Sequence, residues 1–433
     1  MKISLRVMCA LSLAFSSYSF SPKFNNKRIV VKVKDGASLE NSHILSKKHL
    51  FNDYYVLQTE NAQELKASLE GNDKVSYVQF DFQSDTKKLP EATNPERVEP
   101  NTSNKYNGIF NDPSVDRLWA FREASRNGMN VTSAYEAFGR KGDSEVIVAV
   151  VDTGVDYNHE DLKDVMWVNQ GEIPANGIDD DGNGYVDDVH GIDTLDRDSN
   201  GNATGDMMDT HNHGTHVAGT IGATQNNGRG IAGVASNVKI MGIRTVPNRG
   251  DETDVDVAES FLYAAKHGAK IINCSFGKTR NEGGLLVQDT IKHIGEKYGV
   301  LVVAAAGNES SNNDRSPKYP ASFNNDNLLV VAATSSWFGS LASFSNYGQR
   351  TVDIAAPGSG IYSTVRGNRY SNMSGTSMAS PNMAGLAAEV LSRNPELGPI
   401  ALKELIMSNV TKLSKFSTKM VSGGLANLKG ALE

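Results

Sequence analysis

The sequence predicts an α/β protein: a three-layer α/β/α domain with a mainly parallel sheet, preceded by a small α+β domain of the ferredoxin-like kind. Length is the first reason, because 433 residues at about 150 per domain suggest two to three domains. The second is a set of five almost continuously apolar runs, at residues 146–151, 238–243, 271–276, 300–306 and 328–333, as expected of parallel strands covered on both faces. Helical spacing between them, at 217–223, 254–267, 285–298 and 378–393, completes an alternation of strand and helix. Composition is the third: 39% hydrophobic and 21% charged residues with 13 Pro and 40 Gly describe a globular chain rich in tight turns.

Taken in order, the chain opens with an apolar run at 7–15 behind Lys2 and Arg6, followed by Ser17, Tyr18 and Ser19. Residues 1–19 therefore read as a signal peptide, too short to anchor in a bilayer. No later stretch is long enough to span one. The expected product is secreted, with the periplasm or cell surface as further destinations. Cys9 lies in the signal, which leaves Cys274 without an intramolecular partner. Residues 28–34 alternate as a strand that ends at Asp35-Gly36. A polar helical stretch, a strand at 54–57, a helix at 62–69 and a strand at 75–80 follow. Read toward the βαββαβ order, these five elements fit a split-βαβ sandwich over residues 26–86. Residues 87–107 are Lys-, Pro-, Glu- and Asn-rich and read as a flexible linker with a processing site. Residues 108–433 form the main domain.

Charge narrows the choice of partners. Residues 1–99 carry 14 basic and 12 acidic side chains, the remainder 29 and 38. A nucleic-acid binder needs the opposite sign.

In open parallel sheets, sites form where strands end. The run at 146–151 leads directly into Asp152, a carboxylate that is costly at a buried strand tip unless its charge is used. His213 opens the helix-start motif HGTHVAG, Ser377 sits in SGTSMASP where small residues precede a helix, and Asn308 follows a strand through Gly307. A serine needs a base to take its proton, a histidine needs an acid to orient it, and an amide N–H stabilises an oxyanion. The four residues supply one of each, which suits acyl transfer. The segment from Gly375 to Ala379 lacks the second glycine of G-x-S-x-G, and His213 and His216 lack the glutamate of H-E-x-x-H, so neither an α/β-hydrolase elbow nor a zinc helix fits. His216 reads as a structural hydrogen-bonding partner.

In these residues and their flanks the chain resembles the subtilisin family of serine proteases. The resemblance runs through VAVVDTGVD, HGTHVAGT, VVAAAGNE, DIAAPGSGIYST and GTSMASP, over about residues 110–433. It implies a subtilisin-like catalytic domain in which Asp152 orients the ring, His213 is the general base and Ser377 the nucleophile. Asn308 joins the Ser377 N–H in the oxyanion hole. The resemblance also implies that Ser275, Phe276 and Gly277 pair with substrate backbone. Protein or peptide substrates, a monomer, and an N-terminal propeptide acting as intramolecular inhibitor follow from it. Lys318 is placed near the floor of the primary pocket, where its charge favours acidic side chains or snorkels outward.

The second constellation holds five aspartates in residues 179–188 with no cation among them. Asp179, Asp181 and Asn183 alternate ahead of Gly184 like the first half of a calcium loop. His190 stands where such a loop has its bidentate glutamate, so Asp187 or Asp188 has to close the site. Calcium is the expected cofactor, a source of stability where disulfides are lacking. The resemblance adds a second candidate at Asp161 and residues 225–230. Met378, next to the nucleophile, is expected to be open to peroxide.

Overall fold

The structure, a computed structural model, describes residues 23–83, 89–100, 108–140, 145–199, 201–248, 252–337 and 339–433. The predicted signal lies outside them. The N-terminal unit contains β1 (Phe24–Val33), β2 (Ser46–Phe51), β3 (Tyr54–Gln58), α1 (Ala62–Leu69) and β4 (Val75–Phe82) in an antiparallel sheet of order β2-β3-β1-β4. No helix follows Gly36, which corrects the predicted βαββαβ order. In that segment Asn41 Oδ1 accepts the His43 N–H at 2.9 Å, a local bond that competes with helix. Instead the chain returns as β2, turned into β3 at Asn52, whose φ is 43°. Alternation gives this sheet two apolar faces. Ile29, Val31 and Leu57 pack with Leu65 and Leu69 of α1, while Val30, Leu50, Tyr54 and Val56 pack against the main domain.

The predicted linker is partly structured: β5 (Thr93–Glu96) lies within it. The main domain then adds α2 (Val131–Phe138), β6 (Val146–Asp152), β7 (Gly191–Arg197), β8 (Ala203–Thr204), α3 (His213–Gly222), β9 (Val238–Arg244) and α4 (Asp254–Lys266). After them come β10 (Ile271–Cys274), α5 (Leu286–Tyr298), β11 (Leu301–Ala305), β12 (Leu328–Thr334), β13 (Ile354–Pro357), β14 (Ile361–Val365) and β15 (Arg369–Met373). The chain closes with α6 (Thr376–Arg393), α7 (Pro399–Ser408), β16 (Thr411–Lys412), β17 (Gly424–Leu425) and α8 (Leu428–Leu432). Ten strands form one sheet of order β16-β17-β13-β12-β11-β10-β6-β9-β7-β8, parallel except at its two antiparallel edges, β16 and β8. Val148 and Val150 of β6 face the layer of α3 and α6; Ala149 and Val151 face α4 and α5. Both faces are buried, which is why these strands read as unbroken apolar runs and not as alternations.

Close approach between layers depends on small residues. A Cβ at Gly219 of α3 would meet Thr364 Oγ1 of β14 at 2.1 Å, so only glycine lets that helix lie flat on the hairpin.

The N-terminal unit docks on the starts of α4 and α5. Asp81 Oδ1 accepts the Val255 N–H at 2.9 Å, and Gln79 Oε1 accepts those of Leu285 and Leu286 at 2.9 and 3.1 Å. These bonds use N–H groups that a helix leaves unsatisfied at its start. A buried ladder of charge continues the contact: Arg28 bonds Asp81 and Asp256, Arg197 bonds Asp256 and Glu259, and Lys48 bonds Glu259.

Candidate active site

Strand β6 ends on Asp152, which is 1% exposed. Its Oδ1 accepts the backbone N–H of Thr153 at 2.7 Å and lies 2.7 Å from His213 Nδ1. An ionised carboxylate can only accept, so this contact assigns the ring proton to Nδ1 and leaves a lone pair on Nε2. That nitrogen is buried and has no hydrogen-bond partner. His213 stands where it does because α3 begins there. Asp209 accepts the N–H groups of His211, Asn212 and Thr215, and the Thr153 hydroxyl at 3.0 Å, tying the helix start to the loop after β6. Sequence reasoning missed Asp209; the available signal was an aspartate four residues before HGTH. Gly214 is equally constrained, since a Cβ would lie 2.0 Å from the Gly154 carbonyl oxygen.

Ser377 is the second residue of α6 and is 4% exposed. Its hydroxyl donates to the Ser275 carbonyl at 2.9 Å, and the Ser275 hydroxyl donates to the Ser377 carbonyl at 2.9 Å. The second bond has a local cause. Pro381 lacks the N–H that would bond the Ser377 carbonyl four residues back, and Ser275 takes its place. Asn308 Oδ1 accepts both the N–H and the hydroxyl of Thr376, at 2.8 and 3.0 Å. This fixes the amide so that its NH2 points away from Thr376. Thr376 is a second positioning residue that the sequence reading missed, although it stands inside GTS.

Ser377 and Asn308 border a cavity of about 90 Å³ that Ser275, Phe276, Gly277, Glu309 and Lys318 also line, with Leu89 and Pro90 of the preceding segment at its wall. Lys318 Nζ lies 3.2 Å from Glu309 Oε2. Its charge is thus neither free on the pocket floor nor directed to solvent. His216 is buried, with Nε2 2.9 Å from the Ile361 carbonyl, and burial pulls its pKa down to about 3. Burial also pushes the Cys274 thiol up, as for an inert core residue. Met378 is fully buried, which corrects the expectation that it is open to peroxide.

In the acidic loop, ligand oxygens of Asp179, Asp181 and Glu172 lie within 4.8 Å of one another. Glu172 is 8% exposed, and its Oε2 has no partner. Asp188 is buried and accepts from Tyr263, Asn169 and Asn183, at 2.6, 2.8 and 3.0 Å. Asp187 turns away. Its carboxylate accepts the N–H groups of Asn176 and Gly177, at 3.1 and 2.9 Å, so the third carboxylate of the cluster is Glu172 and not Asp187. An all-oxygen donor set with one buried, unpaired carboxylate oxygen fits a hard cation. At the second candidate, Asp161 accepts from Asn227 at 2.7 Å and from the Ile231 N–H at 3.0 Å.

The fold, with a helix-borne serine and an Asp–His pair at the carboxyl edge of a parallel sheet, is of the subtilisin-like class. Residues 143–430 match the subtilase family, and the chain belongs to it. A thermophilic serine proteinase from Bacillus sp. (strain AK1) is 40% identical over 278 residues, covering 64% of this chain and 59% of that protein. Subtilisin-like protease 1 of Plasmodium berghei is 32% identical over 352 residues, 77% and 56% respectively. Thermitase from Thermoactinomyces vulgaris is 37% identical over 279 residues, 64% and 85%. The chain thus spans less than two thirds of the Bacillus and Plasmodium proteins. Among solved structures, a protease from Pseudoalteromonas arctica PAMC 21717 aligns with a TM-score of 0.61 at 27% identity, over 75% of this chain and 98% of that one.

Proposed function

We propose that the protein is a secreted serine endopeptidase, made as a precursor that processes itself and is inhibited by its own N-terminal unit until cleavage. The observation that carries this reading is the 2.7 Å contact of Asp152 with His213, with the far ring nitrogen buried and unpaired. Attack on a peptide carbonyl requires Ser377 Oγ to leave the Ser275 carbonyl and turn toward Nε2. His213 then takes the hydroxyl proton and returns it to the leaving amine, while Asp152 stays ionised and stabilises the imidazolium. Asn308 Nδ2 and the Ser377 N–H, at the start of α6, stabilise the oxyanion. Water resolves the acyl-enzyme by the same path. Ser275, Phe276 and Gly277 are proposed to pair with substrate backbone.

The inhibitor role of the N-terminal unit is supported by its docking on α4 and α5 and by Leu89 and Pro90 at the Ser377 cavity. Export is supported by the apolar run at 7–15; among the described residues no helix is long and apolar enough to cross a membrane. Calcium is the proposed cofactor, held by Glu172, Asp179 and Asp181, with Asn183 and Asp188 alongside, where it would neutralise the loop and pin it to α4. Casein hydrolysis by the wild type, lost in Ser377→Ala, tests the activity. Hydrolysis retained by Ser377→Ala overturns the assignment, and a wild type as inactive as that variant points to a binding protein on the same fold.

A further inference from the structure

After Pro90 the chain continues as β5, antiparallel to the outer edge of β15, with Thr93 opposite Asn372 and Glu96 opposite Tyr370. The Thr93 hydroxyl donates to the Asn372 carbonyl at 3.1 Å, and the Ser371 hydroxyl donates to the Thr93 carbonyl at 2.8 Å. All four side chains of β5 are exposed, so main-chain pairing holds the strand, and apolar burial does not. One side chain is read. The Glu96 carboxylate accepts from the Arg117 guanidinium and, at 3.0 Å, from the Tyr362 hydroxyl. Arg117 lies over the Tyr362 ring, 3.4 Å from its centroid, a stacking that orients the guanidinium whether or not Glu96 is present. Hydrogen bonds from Arg117 and Tyr362 hold the Glu96 carboxyl below its ordinary range.

Leu89 and Pro90 border the cavity that holds Ser377 and Asn308, so β5 extends from the proposed reaction centre in the C-terminal direction. A bound peptide on the same path would lay its leaving half along β15. We infer that the outer edge of β15 receives the C-terminal half of substrates by strand addition, and that Arg117 with Tyr362 selects an acidic side chain six positions beyond the one Pro90 occupies. Glu96 is then the chain's own occupant of that subsite, displaced when a substrate binds. The inference rests on the peptidase reading and adds a substrate class to it: peptides with a glutamate or aspartate well downstream of the cut. Edge pairing supplies affinity for any sequence, and a preoriented cation supplies the selection.

The test uses the enzyme produced from the full chain by its own processing and three fluorogenic peptides identical except for Glu, Gln or Lys at that downstream position, with the cleaved bond checked by mass spectrometry. The preference is read as a ratio within one preparation, so the fraction of active enzyme cancels. Wild type should favour Glu over Lys about fivefold to twentyfold in kcat/KM, carried by KM, as expected for a charge-assisted contact open to solvent. Arg117→Met should bring the ratio to within about twofold, and Arg117→Lys should retain part of it. Glu96→Gln should lower the KM for the Glu peptide by weakening the internal competitor. Equal rates on all three peptides by the wild type, or a preference that survives Arg117→Met, overturn the subsite and leave the peptidase reading intact. Failure to cut any of the three overturns both.

Discussion

Replacing Arg28 with methionine keeps most of the side-chain volume and removes the buried cation by which β1 joins the ladder on α4, leaving Lys48 of β2 on Glu259. Arg28 is 5% exposed and bonds Asp81, which is 0% exposed, and Asp256, which is 5% exposed; it also donates to Thr253 Oγ1 at 2.8 Å. Without it, Asp256 keeps Arg197 at 2.6 Å, whereas Asp81 is left with the Val255 N–H. Burial already pushes the Asp81 carboxyl above its ordinary range with Arg28 in place. Stranding a buried carboxylate in this way costs about 3–5 kcal/mol, or roughly 10²- to 4 × 10³-fold in the equilibrium that docks the unit. The exposed pair Lys27–Glu60, at 62% and 76% side-chain exposure, sets the scale for a contact worth under about 1 kcal/mol. Hydrogen exchange in the full-length Ser377→Ala chain reads the difference, because the Val255 amide is protected by Asp81 only while the unit is docked. Exchange there should quicken by roughly 10²-fold or more in Arg28→Met, and by under about fivefold in Lys27→Met. Arg28→Met combined with Asp81→Leu should restore docking, read at the Leu285 and Leu286 amides that Gln79 Oε1 accepts, since an apolar pair of similar volume replaces a buried ion pair at little cost. A change for Arg28→Met no larger than for Lys27→Met refutes the reasoning.

Three further outcomes are expected. Asp152→Asn should lower kcat about 10⁴-fold at similar KM, because the amide no longer holds the proton on Nδ1; a loss under tenfold in peptide kinetics contradicts the assigned tautomer. Chelation should lower the unfolding temperature of the wild type by several degrees, as loss of a ligand held at about 100 times its Kd removes roughly 2.7 kcal/mol, and Glu172→Gln should shrink that shift; equal shifts in the two proteins count against Glu172 as a ligand. His216 stays neutral in the folded chain down to about pH 3, while the unfolded chain takes up its proton near pH 6.5. Its contribution to stability is therefore complete above about pH 6.5 and is lost as pH falls from there toward 3, at about 1.4 kcal/mol per pH unit. Urea midpoints of wild type and His216→Gln should converge across that window, and a constant difference rules the linkage out.

Taken by itself, the sequence determined what local pattern can carry. The runs that became β6, β9, β10, β11 and β12 announce themselves because a strand buried on both faces has no polar side to interrupt it. Asp152, His213, Asn308 and Ser377 stand out for a related reason: polar groups placed where such strands end or helices begin carry a desolvation cost that calls for a use. The helix expected after Gly36 shows the limit, since polar spacing alone did not distinguish it from a loop leading into β2. Short strands such as β8, β16 and β17 have too few residues to show a period at all. Only the tertiary structure decided the contacts between residues far apart in the chain. Arg28 meets Asp256 across 228 positions, Glu96 meets Tyr362 across 266, and Ser275 fills the bond Pro381 leaves open at Ser377 across 102. Glu172 joins Asp179 and Asp181 because the loop folds back on itself, while Asp187 spends its carboxylate on backbone N–H groups. Pairings of this kind follow from how sheet, helices and N-terminal unit pack, and no local periodicity encodes them.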